Sequence, residues 1–229
     1  LTLEYCLFDN NQTSNEGGVI NLSIADLTIR KSIFSNNSSG QSGGVISLVS
    51  FDSNKRTVIE NSLFYNNSTG EFRNGGAIYT DFITNYTLRH VTFHGNSAGF
   101  GGAIQNGGIM SVENCLFTAN TIDFSGKNIN GGYINAGGNV LGGESIFSDD
   151  PADYYTDADN NDFSLSTTSL AADQGDNSLT TNAGITDDLA GNQRPYSGFF
   201  QLVDPGAYEL QGDPLPFYSS SYSVEEDTL

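Results

Sequence analysis

The residues best suited to chemistry lie in one short acidic stretch, where Asp157, Asp159, Asn161 and Asp162 place side-chain oxygens at close intervals. A loop that opens this way binds calcium when a turn glycine and a distal glutamate complete it, and both are missing here. Calcium is the one cofactor these residues offer, and a solvated acidic loop is the competing reading. His90 and His94 are four apart, a spacing that brings two imidazoles to one metal only on a helix. Cleavage of an acidic polysaccharide would need clustered carboxylates beside arginine or lysine. Asp26, Asp52, Asp81 and Asp123 stand at unrelated places and form no pair. No catalytic residue is assigned, and the chain reads as no enzyme.

The elements that position these residues are announced by a repeat. Phe-x-x-Asn recurs at Phe8/Asn11, Phe34/Asn37, Phe64/Asn67, Phe93/Asn96 and Phe117/Asn120, with the phenylalanines 26, 30, 29 and 24 residues apart. A Gly-Gly-x-Ile motif follows each one, beginning at Gly17, Gly43, Gly75, Gly101 and Gly131. A period of this length marks a solenoid, one turn of chain per repeat. Length varies between the Asn and the glycine pair, so a surface loop belongs there. Phe72, Arg73 and Phe100 fall in these loops and are the candidate contact residues.

Aligned on the phenylalanines, the columns read as parallel strands stacked in register. Leu3, Ile29, Ile59, Leu88 and Val112 form an apolar inward column. The next position alternates in sign through Glu4, Arg30, Glu60, Arg89 and Glu113, as an outward column should when neighbouring strands lie about 4.8 Å apart. The apolar column and the phenylalanines both point inward yet stand an odd number of residues apart. A bend must intervene, at Tyr5, Lys31, Asn61, His90 and Asn114, where Asn and His tolerate the left-handed conformation. Cys6, Ser32, Ser62, Val91 and Cys115 then turn inward. The repeated Asn is expected to turn inward at the next corner and form a buried amide ladder. Cys6 and Cys115 share one column four turns apart, about 19 Å at strand spacing, so two thiols are expected in place of a disulfide.

Composition agrees with a polar stacked fold and excludes other classes. The 229 residues carry 27 Gly, 25 Asn and 44 Ser plus Thr, no Trp, and a hydrophobic fraction of 37%. With 15 Phe and 11 Tyr the chain holds too many aromatics for a disordered one. No run approaches the roughly 18 apolar residues of a membrane helix. Of the net charge of −19, residues 144–229 account for −16. So acidic a surface opposes phosphate-backbone binding, which argues against a nucleic-acid partner.

The paired Phe-x-x-Asn and Gly-Gly-Ala-Ile repeats over residues 1–136 resemble the right-handed parallel β-helix of polymorphic outer-membrane proteins and related adhesins. Gly-Gly-Ala-Ile occurs literally at 75–78 and 101–104. Residues 137–210 resemble the tail of the choice-of-anchor Q domain, through Ala172-Asp173-Gln174-Gly175-Asp176-Asn177, Asp188-Leu189-Ala190-Gly191-Asn192-Gln193-Arg194-Pro195 and Asp204-Pro205-Gly206-Ala207-Tyr208-Glu209. Residues 211–229 read as a proline-bearing linker and, from Tyr222, the start of a cadherin-like domain. The resemblance implies an all-β, pectin-lyase-like solenoid with an acidic C-terminal cap. It also implies a noncatalytic module at the surface of a bacterial cell, acting in adhesion or assembly. Its partners would then be another cell's surface, matrix, glycan or neighbouring copies, with no membrane insertion by this stretch. A polysaccharide-binding or polysaccharide-cleaving β-helix is the alternative, which a row of exposed aromatics with acids along one face would favour.

Overall fold

A computed structural model describes residues 1–212 except 24, 51, 53, 83–84, 145–146 and 197–201. The proposed cadherin-like start and most of the linker lie outside the described residues.

The chain winds as a parallel β-helix of five turns, each contributing a strand to three sheets. The first sheet holds Thr2–Glu4, Leu27–Arg30, Arg56–Tyr65, Asn85–His94 and Ile109–Glu113, with Leu7–Asp9, Ile33–Ser35 and Leu116–Thr118 beyond the bend. The second holds Gln12–Thr13, Ser38–Ser39, Ser68–Thr69, Ser97–Phe100 and Thr121–Ser125. Ile20–Ser23, Ile46–Ser50, Ile78–Phe82, Ile104–Asn106 and Ile129–Asn130 form the third. A sixth turn begins with Ile134–Gly137 and Val140–Leu141, so parallel pairing extends to residue 141.

Every column has a local cause. The bend residues Tyr5, Lys31, Asn61, His90 and Asn114 all have φ between 45° and 53°, and this reverses the facing of the strand between the apolar column and the phenylalanine. The second corner, also left-handed, falls at Asn10, Asn36, Asn66, Gly95 and Ala119, with φ from 52° to 61°. It turns the following Asn into the interior. The phenylalanine rings stack at centroid distances of 5.2, 4.7, 5.1 and 4.9 Å. Beside them runs the amide ladder. Asn37 donates its backbone N–H and Nδ2 to Oδ1 of Asn67 at 2.9 and 3.0 Å, and Asn11, Asn67 and Asn96 repeat the arrangement toward the next turn. A second Nδ2 bond reaches the Phe carbonyl of the turn on the other side. Both Asn side-chain groups are thereby satisfied inside an apolar core.

In the outward charge column Arg30 meets Glu60 at 2.8 Å, and Arg89 bridges Glu60 at 3.0 Å and Glu113 at 2.6 Å. Cys6 and Cys115 are free thiols, Cys115 fully buried.

The glycine pair has two separate tasks. Gly43 takes φ 70°, a conformation open mainly to glycine. A Cβ on Gly44 would lie 2.0 Å from the carbonyl oxygen of Gly76 on the next turn, so the second glycine permits close backbone stacking. This division corrects the fifth motif. Gly131-Gly132-Tyr133-Ile134 does not stack on Gly101-Gly102-Ala103-Ile104. Gly126-Lys127-Asn128-Ile129 occupies that place, with Gly102 N–H bonding Gly126 O and Ile129 paired to Ile104. The third sheet ends at this turn, so no further strand of it stacks over Lys127 and a side chain is tolerated there, its Nζ reaching Asp149. Ile134 pairs with Ser111 of the first sheet instead.

Replacing Asn67 by Ala removes the acceptor of two buried donors. The expected loss is about 3 kcal/mol of unfolding free energy, clearly more than for Asn11→Ala at the exposed end of the ladder. Urea titration of the two variants measures this difference.

Candidate interaction surface

Residues 142–210 do not simply close the end of the coil. They run back along the outer face of the first sheet, where Ile33, Leu63 and Leu116 pack against Tyr154, Tyr155, Phe163, Leu165 and Ala207. Leu7, in the same outward column of the first turn, is 67% exposed because this cover stops short of it. Gly206 sits tightly over Thr92 and Leu116, and the Ala207 N–H donates to Thr92 Oγ1 at 2.9 Å.

The short motifs of this segment converge on a buried polar cluster. Arg194, Asp188, Asp204 and Glu209 are all nearly inaccessible. Arg194 Nη1 donates to Gly206 O at 2.9 Å and to Asn61 Oδ1 at 3.3 Å, which ties the segment to the bend column. Its Nε is 3.2 Å from Glu209 Oε2 but poorly aligned for a hydrogen bond, so attraction there is mainly coulombic. Asp188 accepts from the N–H groups of Asn192 and Glu209, and Asp204 from those of Asp173 and Leu210. Burial raises the carboxyl pKa of Asp204 to about 6 and that of Glu209 to about 7, against the opposing pull of Arg194.

His90 and His94 serve this interface at separate places. His90, at the bend, lies 3.2 Å from Asp204 O and 2.8 Å from Thr180 Oγ1. His94 faces outward but is covered by Tyr155 and Phe163, and bonds Thr118 Oγ1 at 2.9 Å. Desolvation depresses both imidazoles, that of His94 to about 4.

The candidate calcium residues lie on an antiparallel hairpin of Tyr155–Asp157 and Asp162–Leu165, with Asp157 opposite Asp162. Asn160 Nδ2 donates to Asp157, Ser164 donates to Asp162, and Asn161 takes the left-handed turn conformation. Asp159 is on the short turn between the strands. Among the described residues no group of three or more His, Cys, Asp or Glu is arranged to hold a metal ion.

The loops between the ladder Asn and the third sheet gather aromatic rings on the opposite flank. Phe72 is 67% exposed and Phe124 is 49% exposed, while Phe100 is half-buried. Phe124 lies 4.9 Å from the Phe72 ring and 5.1 Å from the Phe100 ring. Three turns thus contribute to one apolar patch, with exposed Arg73 beside Phe72. Phe124 is the member of the patch that the residue pattern did not single out. Its signal was its place between Asn120 and the next corner, the same interval that holds Phe72 and Phe100.

Four segments, residues 5–23, 31–48, 61–81 and 90–107, match the Chlamydia polymorphic membrane protein repeat. The segments start at or beside the left-handed bend residue and end in or near the third sheet, so the matched unit is one structural turn. No curated protein and no solved structure matches the chain. No helix among the described residues is long and apolar enough to cross a membrane.

A carboxyl whose folded pKa is raised stabilises the fold below its unfolded pKa and loses that contribution as pH rises through the folded value. For Glu209 this window runs from about 4.5 to about 7. The depressed histidines act oppositely, weakening the fold as pH falls below their unfolded value of 6.5. Glu209→Gln should therefore remove a loss of stability toward alkaline pH while leaving the acid-side loss in place. Melting curves of both proteins from pH 5 to 8 would show the variant's melting temperature rising relative to the parent's as pH increases.

Proposed function

We propose that this chain is a noncatalytic extracellular module of a bacterial adhesin-like surface protein, and that it meets its partner through the loop flank of Phe72, Phe100 and Phe124. The observation that carries this reading is the exposed three-ring patch, built from a stretch of the turn that varies in length and sequence from one turn to the next. Exposed rings clustered in this way mark interaction sites on otherwise polar surfaces. The matched repeat supports placement at the surface, since the family is one of membrane proteins.

The charge arrangement supports a binding role over a polysaccharide-cleaving one. Of eight Lys and Arg residues, Arg30, Lys31, Arg89, Lys127 and Arg194 are held in ion pairs. These pairs connect turns or fasten the C-terminal segment. Among the described residues they leave no solvent-exposed cluster of acids and bases of the kind that uronate cleavage requires, and the cluster around Arg194 is buried.

Phe72→Ser and Phe124→Ser should each lower adhesion of beads coated with the chain to cultured cells, and together reduce it by about tenfold. Melting temperature should stay within about 2 °C of the parent, because the patch lies outside the core. Unchanged adhesion by a folded double variant would refute this assignment of the surface.

A further inference from the structure

Beside the aromatic patch runs a shallow groove of about 350 Å³, bordered by Asn74 and Phe100 on the loop side and by Tyr79, Asp81, Gln105 and Asn130 on the strand side. We propose that this groove binds an uncharged oligosaccharide. The inference rests on the adhesion reading above and names the chemical class of its partner.

The groove's floor is built by the third sheet. Tyr79, Gln105 and Asn130 are in register on three successive turns, facing outward. Their polar groups recur at about 4.8 Å, the strand spacing, so they present a row of donors and acceptors to a molecule that is itself a chain. Asn130 Nδ2 donates to Gln105 Oε1 at 2.6 Å, which orients both amides. Tyr79 is hydrogen-bonded to Asp81, which fixes the phenol at one end of the row. On the other wall Asn74 and Phe100 are joined by a parallel backbone bridge, so that wall is held by the strand ladder.

The lining chemistry selects the ligand. A sugar ring offers an apolar C–H face to an aromatic ring and hydroxyls to amides, and the groove supplies both, with Tyr79 and Phe100 as the rings. No Lys or Arg lines it, and Asp81 is its one charged residue. A sulfated or carboxylated glycan would therefore find no cation, and the chain's net charge of −19 would repel it. An apolar peptide would bury the amide row without pairing it, at a cost of about 1–3 kcal/mol for each unpaired group.

Titration of the whole chain with neutral hexamers of N-acetylglucosamine, glucose and galactose, and with heparin, tests the assignment alongside cell adhesion after periodate or trypsin treatment of the cells. Expected are saturable binding of a neutral hexamer and no heparin binding. Affinity should be unchanged at about 0.5 M salt. It should fall about tenfold in Tyr79→Ala but little in Tyr79→Phe, which keeps the ring. Adhesion should fall after periodate and survive trypsin. Salt-sensitive heparin binding, or adhesion that resists periodate and is lost to trypsin, would overturn the glycan assignment while leaving the adhesion reading standing. Hexamer binding with no cell adhesion would do the reverse.

Discussion

Stacking parallel turns about 4.8 Å apart makes each side chain the nearest neighbour of its own counterpart above and below. That constraint governs the rest of the molecule. A column is stable only if its residue type tolerates itself, or alternates with a complement. Phenylalanine tolerates itself by offset stacking, and asparagine by donating and accepting through one amide. Charged residues do not, so Glu4, Arg30, Glu60, Arg89 and Glu113 alternate. Backbone carbonyls on the adjoining turn leave room only for hydrogen at Gly18, Gly44, Gly76 and Gly102.

A coil built this way has a polar outer surface almost everywhere, and its stability is local to neighbouring turns. The C-terminal segment departs from that rule. It packs across several turns at once, buries the outward column of Ile33, Leu63 and Leu116, and anchors itself through Arg194 to Asn61. Buried charges of this kind add little net stability but are costly to separate. They hold the segment in one place along the coil. The first turn, which the segment does not reach, keeps its Tyr5 and Leu7 exposed. One flank is thus consumed by the protein's own chain, and the opposite flank carries the exposed rings.

How much of this was legible in the sequence follows from the same constraint. Columns that repeat one residue type or alternate in charge announce themselves, so the phenylalanine stack, the amide ladder and the charge alternation are readable from the order of residues alone, and the first bend follows from the odd spacing of two inward columns. The second bend is legible only as a corner before the repeated Asn, because Asn10, Asn36, Asn66, Gly95 and Ala119 meet one backbone requirement with three residue types. The fifth glycine pair misleads for a related reason. Register there is set by hydrogen bonds to the fourth turn, and the last stacked position no longer needs glycine. Contacts between Arg194 and Asn61, or Asp204 and His90, join residues more than a hundred positions apart and leave no periodic trace. The groove of Tyr79, Gln105 and Asn130 is equally hidden, since its members become neighbours only once the register is known.

The central claim is that self-complementary columns, above all the Asn ladder, hold the turns together. Hydrogen exchange read at single amides tests it most directly. The N–H groups of Asn37, Asn67 and Asn96 each donate to an Asn side-chain oxygen on the next turn. They should be among the last in the chain to exchange, with Asn11, at the exposed end of the ladder, exchanging sooner. Ladder amides that exchange as fast as those of the loop at residues 70–73 would contradict the account.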